Sequence, residues 1–421
     1  MLDKVTPIRM IDQDPATIPL DQIDVTQSEL YQHDAQWGFF KRLREEAPIH
    51  FIDHHEYGRV WSVSKFEHIA HVEKNHEIFS SEPTITIADL PEEIPFESFI
   101  QMDPPRHDPH RAAVQPVVAP MNLAKLEGLI RQRVGDILDD LPTDRTFNWV
   151  DEVSINLTTQ MLATLFDFPF EERHKLTYWS DCTTGAPDVS GGDFVDPEER
   201  NRALAECGEY FIRLWHERAN DPNPGNDLIS MLAHSEKTRN IIDQPMEYLG
   251  NILLLIVGGN DTTRNSLTGG VHALNQFPEE YEKLRNDVSL IPSMVSEIIR
   301  WQTPILGMTR RTKQDTELFG KQIKKGDKVV MWYISGNRDG DVIKGDPDKF
   351  IIDRESVRHH LSFGFGVHRC MGNRLAEMQI RVTWEEIMKR FRHIEVVGPE
   401  VRAPSNIIRG YRELPVRVHP L

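Results

Sequence analysis

Cysteine is scarce in this chain, with three in 421 residues at positions 182, 207 and 370. Spaced so widely, they make neither a disulfide framework nor a zinc site, and the expected setting is reduced and cytoplasmic. Long apolar runs are also missing. The longest, Ile252–Val257, falls far short of the roughly 20 residues that a membrane span requires. The opening stretch MLDKVTPIRMIDQDPATIPL lacks the apolar core of a secretory signal. Basic residues are outnumbered, 48 Lys and Arg against 66 Asp and Glu, for a formal net charge of −18. That excludes general electrostatic holding of nucleic acid or an anionic membrane surface. No repeat, low-complexity linker or composition shift marks a boundary. One large domain is therefore expected over residues 1–421, with residues 1–30 as an irregular Pro- and Asp-rich segment.

Of the three cysteines, Cys370 stands in the most informative surroundings, the loop SFGFGVHRCMG at Ser362–Gly372. Its glycines, Gly364, Gly366 and Gly372, permit tight turns and close approach to a flat ligand. An apparent helix follows, whose N-terminal N–H groups and dipole favour a thiolate. A thiolate is a strong soft ligand for iron. Phe363, Gly366, His368, Cys370 and Gly372 together fit F-x-x-G-x-H-x-C-x-G.

Four other stretches carry chemistry-bearing residues at telling spacing. Asp103-Pro104-Pro105-Arg106-His107 opens a helix toward Val117, with His107 and Arg111 four apart on one face. A long helix is expected over Pro245–Phe277, capped by Asp243 and stopped by Pro278. Its centre reads Gly258-Gly259-Asn260-Asp261-Thr262-Thr263, where paired glycines weaken the helix beside a carboxylate and a hydroxyl. Glu297 and Arg300 sit i,i+3 in a helix over Pro292–Thr303. The segment 80–100 alternates prolines with Ile85, Ile87, Leu90, Ile94, Phe96, Phe99 and Ile100, the pattern of a flexible apolar wall. With Leu253, Ile256, Val257, Ile305, Leu306 and Met308 it supplies an aliphatic lining without an evident charged anchor.

The rest is mostly helical. Periodicity predicts helices at Gln36–Ala47, Lys65–Asn75, Leu123–Leu141, Val150–Leu165, Phe170–Asp181 and Pro197–Ala219, with a loop at Cys182–Asp196. Strands are expected as a hairpin at Ile49–Ile52 and Val60–Ser64, at Thr316–Leu318 and Lys328–Trp332, and as a C-terminal hairpin over Pro404–Leu421. The fold class is mainly α with small β-sheets.

The Cys370 loop resembles the haem-binding loop of the cytochrome P-450 superfamily, and the other motifs follow in that family's order from Asp103 to Gly372. The resemblance implies a single-domain cytochrome P-450 fold binding haem b, with Cys370 as axial thiolate and Phe363 beside the sulfur. It gives haem-binding roles to His107, Arg111, Arg310, His368, Gly258, Gly259 and Gly364, with His360 as a further propionate contact. Thr262 would steady bound dioxygen while Asp261 feeds protons, and Glu297, Arg300 and Arg354 would form a structural network. The strings GGNDTTRNS, MVSEIIRWQTP and GVHRCMGNRLAE are most similar to the soluble bacterial alkane and fatty-acid terminal hydroxylases. That implies a monomeric monooxygenase acting on medium-chain alkanes or fatty acids. A terpene or steroid monooxygenase and a non-catalytic haem-thiolate sensor are the alternatives. No flavin or nicotinamide fingerprint is present, so electrons are expected from a [2Fe–2S] ferredoxin and its flavoprotein reductase. Arg106, Arg369 and Arg374 would form a basic patch for an acidic ferredoxin.

Overall fold

The computed structural model describes residues 8–89, 97–184, 195–225 and 227–421. The helices that matter for the site are α1 (Trp37–Glu46), α2 (Phe66–Lys74), α3 (His107–Val114), α4 (Pro120–Asp139), α5 (Asn156–Phe166), α6 (His174–Thr184), α7 (Pro197–Ala219), α8 (Leu228–His234), α9 (Pro245–Gln276), α10 (Pro278–Asn286), α11 (Ile291–Gln302) and α12 (Asn373–Arg390). The 32-residue α9 is the axis. It packs on α5, α6, α11 and α12, and all but a few of its residues after Asn260 are buried. An element apolar nearly all round belongs in the interior of a large helical domain.

A five-stranded sheet flanks the helices, in the order β1 (Ile49–His54), β2 (Gly58–Val63), β8 (Lys328–Met331), β5 (Met308–Thr312), β3 (Phe79–Ser80). The predicted hairpin is its outer edge, with Ile49 opposite Val63. Among the described residues no helix is long and apolar enough to cross a membrane.

Several expected boundaries shift for local reasons. Asp243 does not cap α9. It ends a separate 3₁₀ turn, Ile241–Asp243, whose carbonyls take the N–H groups up to Gln244, and Gln244 occupies the cap position. The Val150–Leu165 helix begins as a π-helical stretch, Val150–Ile155, before α5. Phe170–Asp181 divides into a 3₁₀ turn, Phe170–Glu172, and α6, so Cys182 lies on a helix and not in the expected loop. Residues 185–194 of that loop lie outside the described residues. The C-terminal hairpin does not form. Only Leu414 separates β11 (Tyr411–Glu413) from β12 (Pro415–Pro420), too little to reverse the chain. Instead β11 pairs back with β10 (Val401–Arg402), and β12 crosses to β9 (Phe391–Val396) and β4 (Phe147–Asn148).

The Glu297–Arg300 pair is not a surface pair. Both side chains are fully buried, and Arg300 donates to both carboxylate oxygens at 2.7 Å. Arg354 donates to the same carboxylate at 3.1 Å, and the Ile351 N–H does so at 2.8 Å. The guanidinium groups spend their other N–H donors on the carbonyls of Asn337, Pro347 and Lys349. Truncating one partner of such a buried set strands the others without compensation. Glu297→Ala should therefore lose about 3–5 kcal/mol of stability, read as a lower denaturant midpoint. A loss below about 1 kcal/mol, the ordinary size for an exposed pair, would show that the network is not a stability element.

Candidate functional site

The Cys370 loop is held from three sides. Gly364 and Gly366 adopt φ of +65° and +68°, the left-handed region that glycine occupies without strain. These two residues reverse the chain so that the Cys370 N–H donates to Phe363 O at 2.8 Å. Asn337 ties down the loop's entrance, accepting from the Leu361 N–H at 2.7 Å and donating to Ser362 Oγ at 2.8 Å. Ser362 Oγ in turn donates to Ile299 O on α11 at 2.8 Å.

Cys370 stands just before α12, where the backbone N–H groups of Gly372 and Asn373 favour the thiolate. Burial nevertheless pushes the thiol up from its ordinary value, while those N–H groups, Arg111 and Arg369 pull it down. The N–H groups at the helix end thus act in the direction the sequence implies, and desolvation works against them. Binding to a metal ion is what deprotonates a coordinating thiol outright.

A cavity of about 430 Å³ connects this sulfur to the middle of α9. Phe363, Gly364, His368 and Cys370 line one part, Gly258, Gly259, Asp261 and Thr262 another, and Arg111 reaches in from α3. The glycines of α9 do different work. A Cβ at Gly258 would meet nothing within 4 Å, whereas one at Gly259 would lie 2.9 Å from Leu162 Cδ2. Gly258 leaves room toward the cavity, and Gly259 allows α5 to pack closely. The helix stays intact at this point, with Thr262 Oγ1 donating to Gly258 O at 2.9 Å.

Asp261 is fully buried. It accepts from Ser180, Thr184 and Asn260 and pairs with Arg264 at 3.0 Å. Burial pushes its carboxyl up, offset chiefly by Arg264. Arg264 also reaches Asp181 at 2.8 Å, whose side chain is 48% exposed, so the buried carboxylate is joined to the surface through one guanidinium.

The cationic side of the cavity is unusually bare of partners. His107 Nε2 and both ring nitrogens of His368 are buried without a hydrogen-bond partner among the described residues. The two rings meet edge to face at 4.6 Å. Burial, with Arg310 next in weight, pushes His368 down to about 3, which leaves it neutral at pH 7. Arg310 donates to Thr309 O at 2.9 Å and makes no ion pair among the described residues. His107 and Arg310 lie behind the cavity lining and not in it. His360 is otherwise engaged, accepting from the Ser362 N–H at 3.2 Å and packing on Phe363.

Donors left over in a buried, positively charged setting suit an anionic ligand. Among the described residues, no group of three or more His, Cys, Asp or Glu could hold a bare metal ion. An iron at Cys370 must therefore bring its other ligands with it. A flat, doubly carboxylated iron macrocycle meets each of these demands, so the residues present fit haem.

Of the expected lining, Ile85, Leu253, Val257, Ile305 and Met308 face the cavity. Ile87 and Leu306 do not; they are buried in the packing beneath the sheet with Phe40 and Trp332. Ile256 points instead into the core with Trp215 and Tyr248. Alternation along a strand or helix sends neighbours to different faces, and the sequence alone did not reveal which face met the cavity. Leu90 and Ile94 lie outside the described residues. The sequence reading missed Val114, Leu162, Phe166, Leu204 and Ile408, and it missed two charged lining residues, Glu73 and Arg200. Each had a signal. Glu73 shares the apolar stripe of Phe66, Ile69 and Ala70, and Arg200 that of Ala203, Leu204, Cys207 and Phe211. Arg106 is not a free surface cation, since it pairs with Glu97 and Glu247.

The arrangement defines a haem-thiolate site, and the similarity to known proteins agrees. The cytochrome P450 family model matches residues 199–408. The chain is 32% identical to linalool 8-monooxygenase of Pseudomonas putida over 95% of its own length and 100% of that protein. It is also 32% identical to methyl-branched lipid omega-hydroxylase of Mycobacterium tuberculosis, covering 96% of both chains. The solved structure of cytochrome P450-153 from Novosphingobium aromaticivorans superposes with a TM-score of 0.87 at 43% identity, over 94% of this chain and 99% of that one. The chain belongs to the cytochrome P450 family. It is a haem-thiolate monooxygenase.

Proposed function

We propose that this monooxygenase hydroxylates the terminal carbon of medium-chain fatty acids and related chains, with electrons from a [2Fe–2S] ferredoxin. The observation that carries the reading is one continuous cavity running from the Cys370 sulfur, past Thr262, into a lining of aliphatic side chains. The omega-hydroxylase relative and the cytochrome P450-153 structure support it.

Cys370 would be the axial ligand, and Arg111, Arg310, His107 and His368 would hold the propionates with the donors they leave unused. Bound there, haem supplies the activation of dioxygen and the oxidation of a C–H bond. The chain's own part is positioning and protons. Thr262 places a hydroxyl on the cavity wall, and Asp261 offers a carboxylate beside it that Arg264 ties to the half-exposed Asp181. Apolar walls exclude water and orient an aliphatic chain by burial.

Reconstituted enzyme offered a fatty acid and the alkane of equal length should give mainly terminal alcohol by mass spectrometry. Predominantly internal alcohols would remove the terminal reading. Turnover of linalool in preference to both would favour the second reading, a terpene monooxygenase, which the Pseudomonas relative supports.

Thr262→Ala should keep haem bound while oxygen consumption outruns product. An unchanged ratio of product to oxygen consumed would remove the proton-delivery role. For the ferredoxin, Arg369 and Arg374 remain as exposed cations near Cys370, with Lys74 and Arg358 nearby in place of Arg106. Reversing Arg369 and Arg374 to glutamate should weaken ferredoxin association and flatten its salt dependence. Titrations that superpose on those of the parent would place the docking surface elsewhere.

A further inference from the structure

Glu73 is a buried carboxylate that none of the roles above uses. It is 5% exposed, at the end of α2, directly against the Cys370 loop. One oxygen accepts from the Phe365 N–H and the other from Tyr333 Oη, both at 2.5 Å. Phe365 is the residue between the two left-handed glycines. A Cβ at Gly364 would lie 3.0 Å from Glu73 Oε1, and one at Gly366 would strike the Glu73 carbonyl oxygen. Gly366 is thus required by the Glu73 backbone as well as by the turn, and Gly364 fits tightly against the Glu73 carboxylate. The rest of α2 grips the same residue, with Phe66 edge-on to the Phe365 ring at 6.0 Å and Lys74 Nζ above it at 5.3 Å.

The geometry has a direct consequence for the sulfur. Phe363 O accepts the Cys370 N–H, and the Gly364 N–H donates to Leu361 O at 2.7 Å. The peptide joining Gly364 to Phe365 continues straight from that carbonyl. If its N–H tips away from Glu73, the adjoining glycine torsions are free to carry Phe363 O with them.

We propose that Glu73 is a positioning residue for Cys370: its carboxylate fixes the Phe365 peptide between the two left-handed glycines and so holds the cysteine where it can ligate iron. The inference rests on Cys370 being the iron ligand, and the parent protein's own spectrum tests that reading separately. The haem-loaded parent, reduced and exposed to carbon monoxide, should show the Soret band of a thiolate-ligated haem. Its absence in the parent would overturn the ligand assignment and this inference together.

Given that band, Glu73→Leu keeps the shape and removes the acceptor. It should raise the ratio of non-thiolate to thiolate carbonyl complex about tenfold, the ratio expected for one lost charge-assisted hydrogen bond. Glu73→Gln can turn its carbonyl oxygen to Phe365, so it should restore most of the parent ratio. Equal ratios in the parent and folded Glu73→Leu would overturn the inference, as would equal defects in the Leu and Gln variants, which mark a merely structural role. Should Glu73→Leu fail to fold, Tyr333→Phe loosens the carboxylate from its other side. Amide hydrogen exchange at Phe365 should then be faster than in the parent, and an unchanged rate would overturn the inference without further variants.

Discussion

The buried Glu297 carboxylate is the point from which the rest of the site is braced. Two guanidinium groups and a backbone N–H converge on it, and the same guanidinium groups hold the carbonyls of Asn337, Pro347 and Lys349. A long irregular segment before Cys370 would otherwise be costly to order, since it has no sheet ladder or helix of its own. The charged cluster supplies its missing hydrogen-bond partners. From Asn337 the constraint passes in two directions. Its side chain fixes Leu361 and Ser362 at the loop's entrance. Two residues on, Asp339 accepts from the Phe66 N–H at 2.9 Å and caps α2. The far end of α2 is Glu73, which meets the loop again at Phe365. One short turn thus governs the cysteine loop both directly and through a helix.

The charge distribution follows a different logic from the surface. A chain with a net charge of −18 sets Arg111, Arg200 and His368 in the wall of one internal cavity, beside Glu73 and Asp261. Cations gathered in a low-dielectric space repel one another, and burial adds a further penalty. The protein limits this cost by keeping His368 neutral, and Glu73 lies close enough to Arg310 for each to feel the other's charge. What remains is a demand for negative charge beside donors that have no other partner. Two propionates, held as proposed, would meet that demand.

Much of this was legible in the sequence because the chemistry sits on local patterns. The cysteine loop, the α9 centre, the α3 pair and the Glu297–Arg300 pair are each defined within about ten residues; each pair falls on one helix, and the loop and the α9 centre meet at one cavity. What stayed hidden depends on tertiary placement. Ile87, Ile256 and Leu306 are as apolar as their neighbours, and only packing decides which of them meets the cavity. The burial of Glu297–Arg300 depends on Arg354, which closes over the pair from 54 residues beyond Arg300. Arg106 looked free because Glu97 and Glu247 lie far from it along the chain or outside its motif. The ionisable residues on apolar stripes, Glu73 and Arg200, were visible as mismatches in period, and a mismatch of that kind is the more informative position on an amphipathic helix.

The two adjacent glycines of α9 show how one motif serves two masters. Each gives up roughly 1 kcal/mol of helix propensity against alanine, and a single function would not require both. Gly259 recovers its share by letting Leu162 of α5 approach to a distance no Cβ would allow. Gly258 recovers nothing from protein packing, since open space lies before it. Its carbonyl instead takes the Thr262 hydroxyl, which turns that hydroxyl along the cavity wall and holds it there. A side chain at 258 would fill the open space in front of this pair. The helix remains continuous through the motif, and the room for a ligand comes from the missing Cβ at Gly258 and not from a break in the helix.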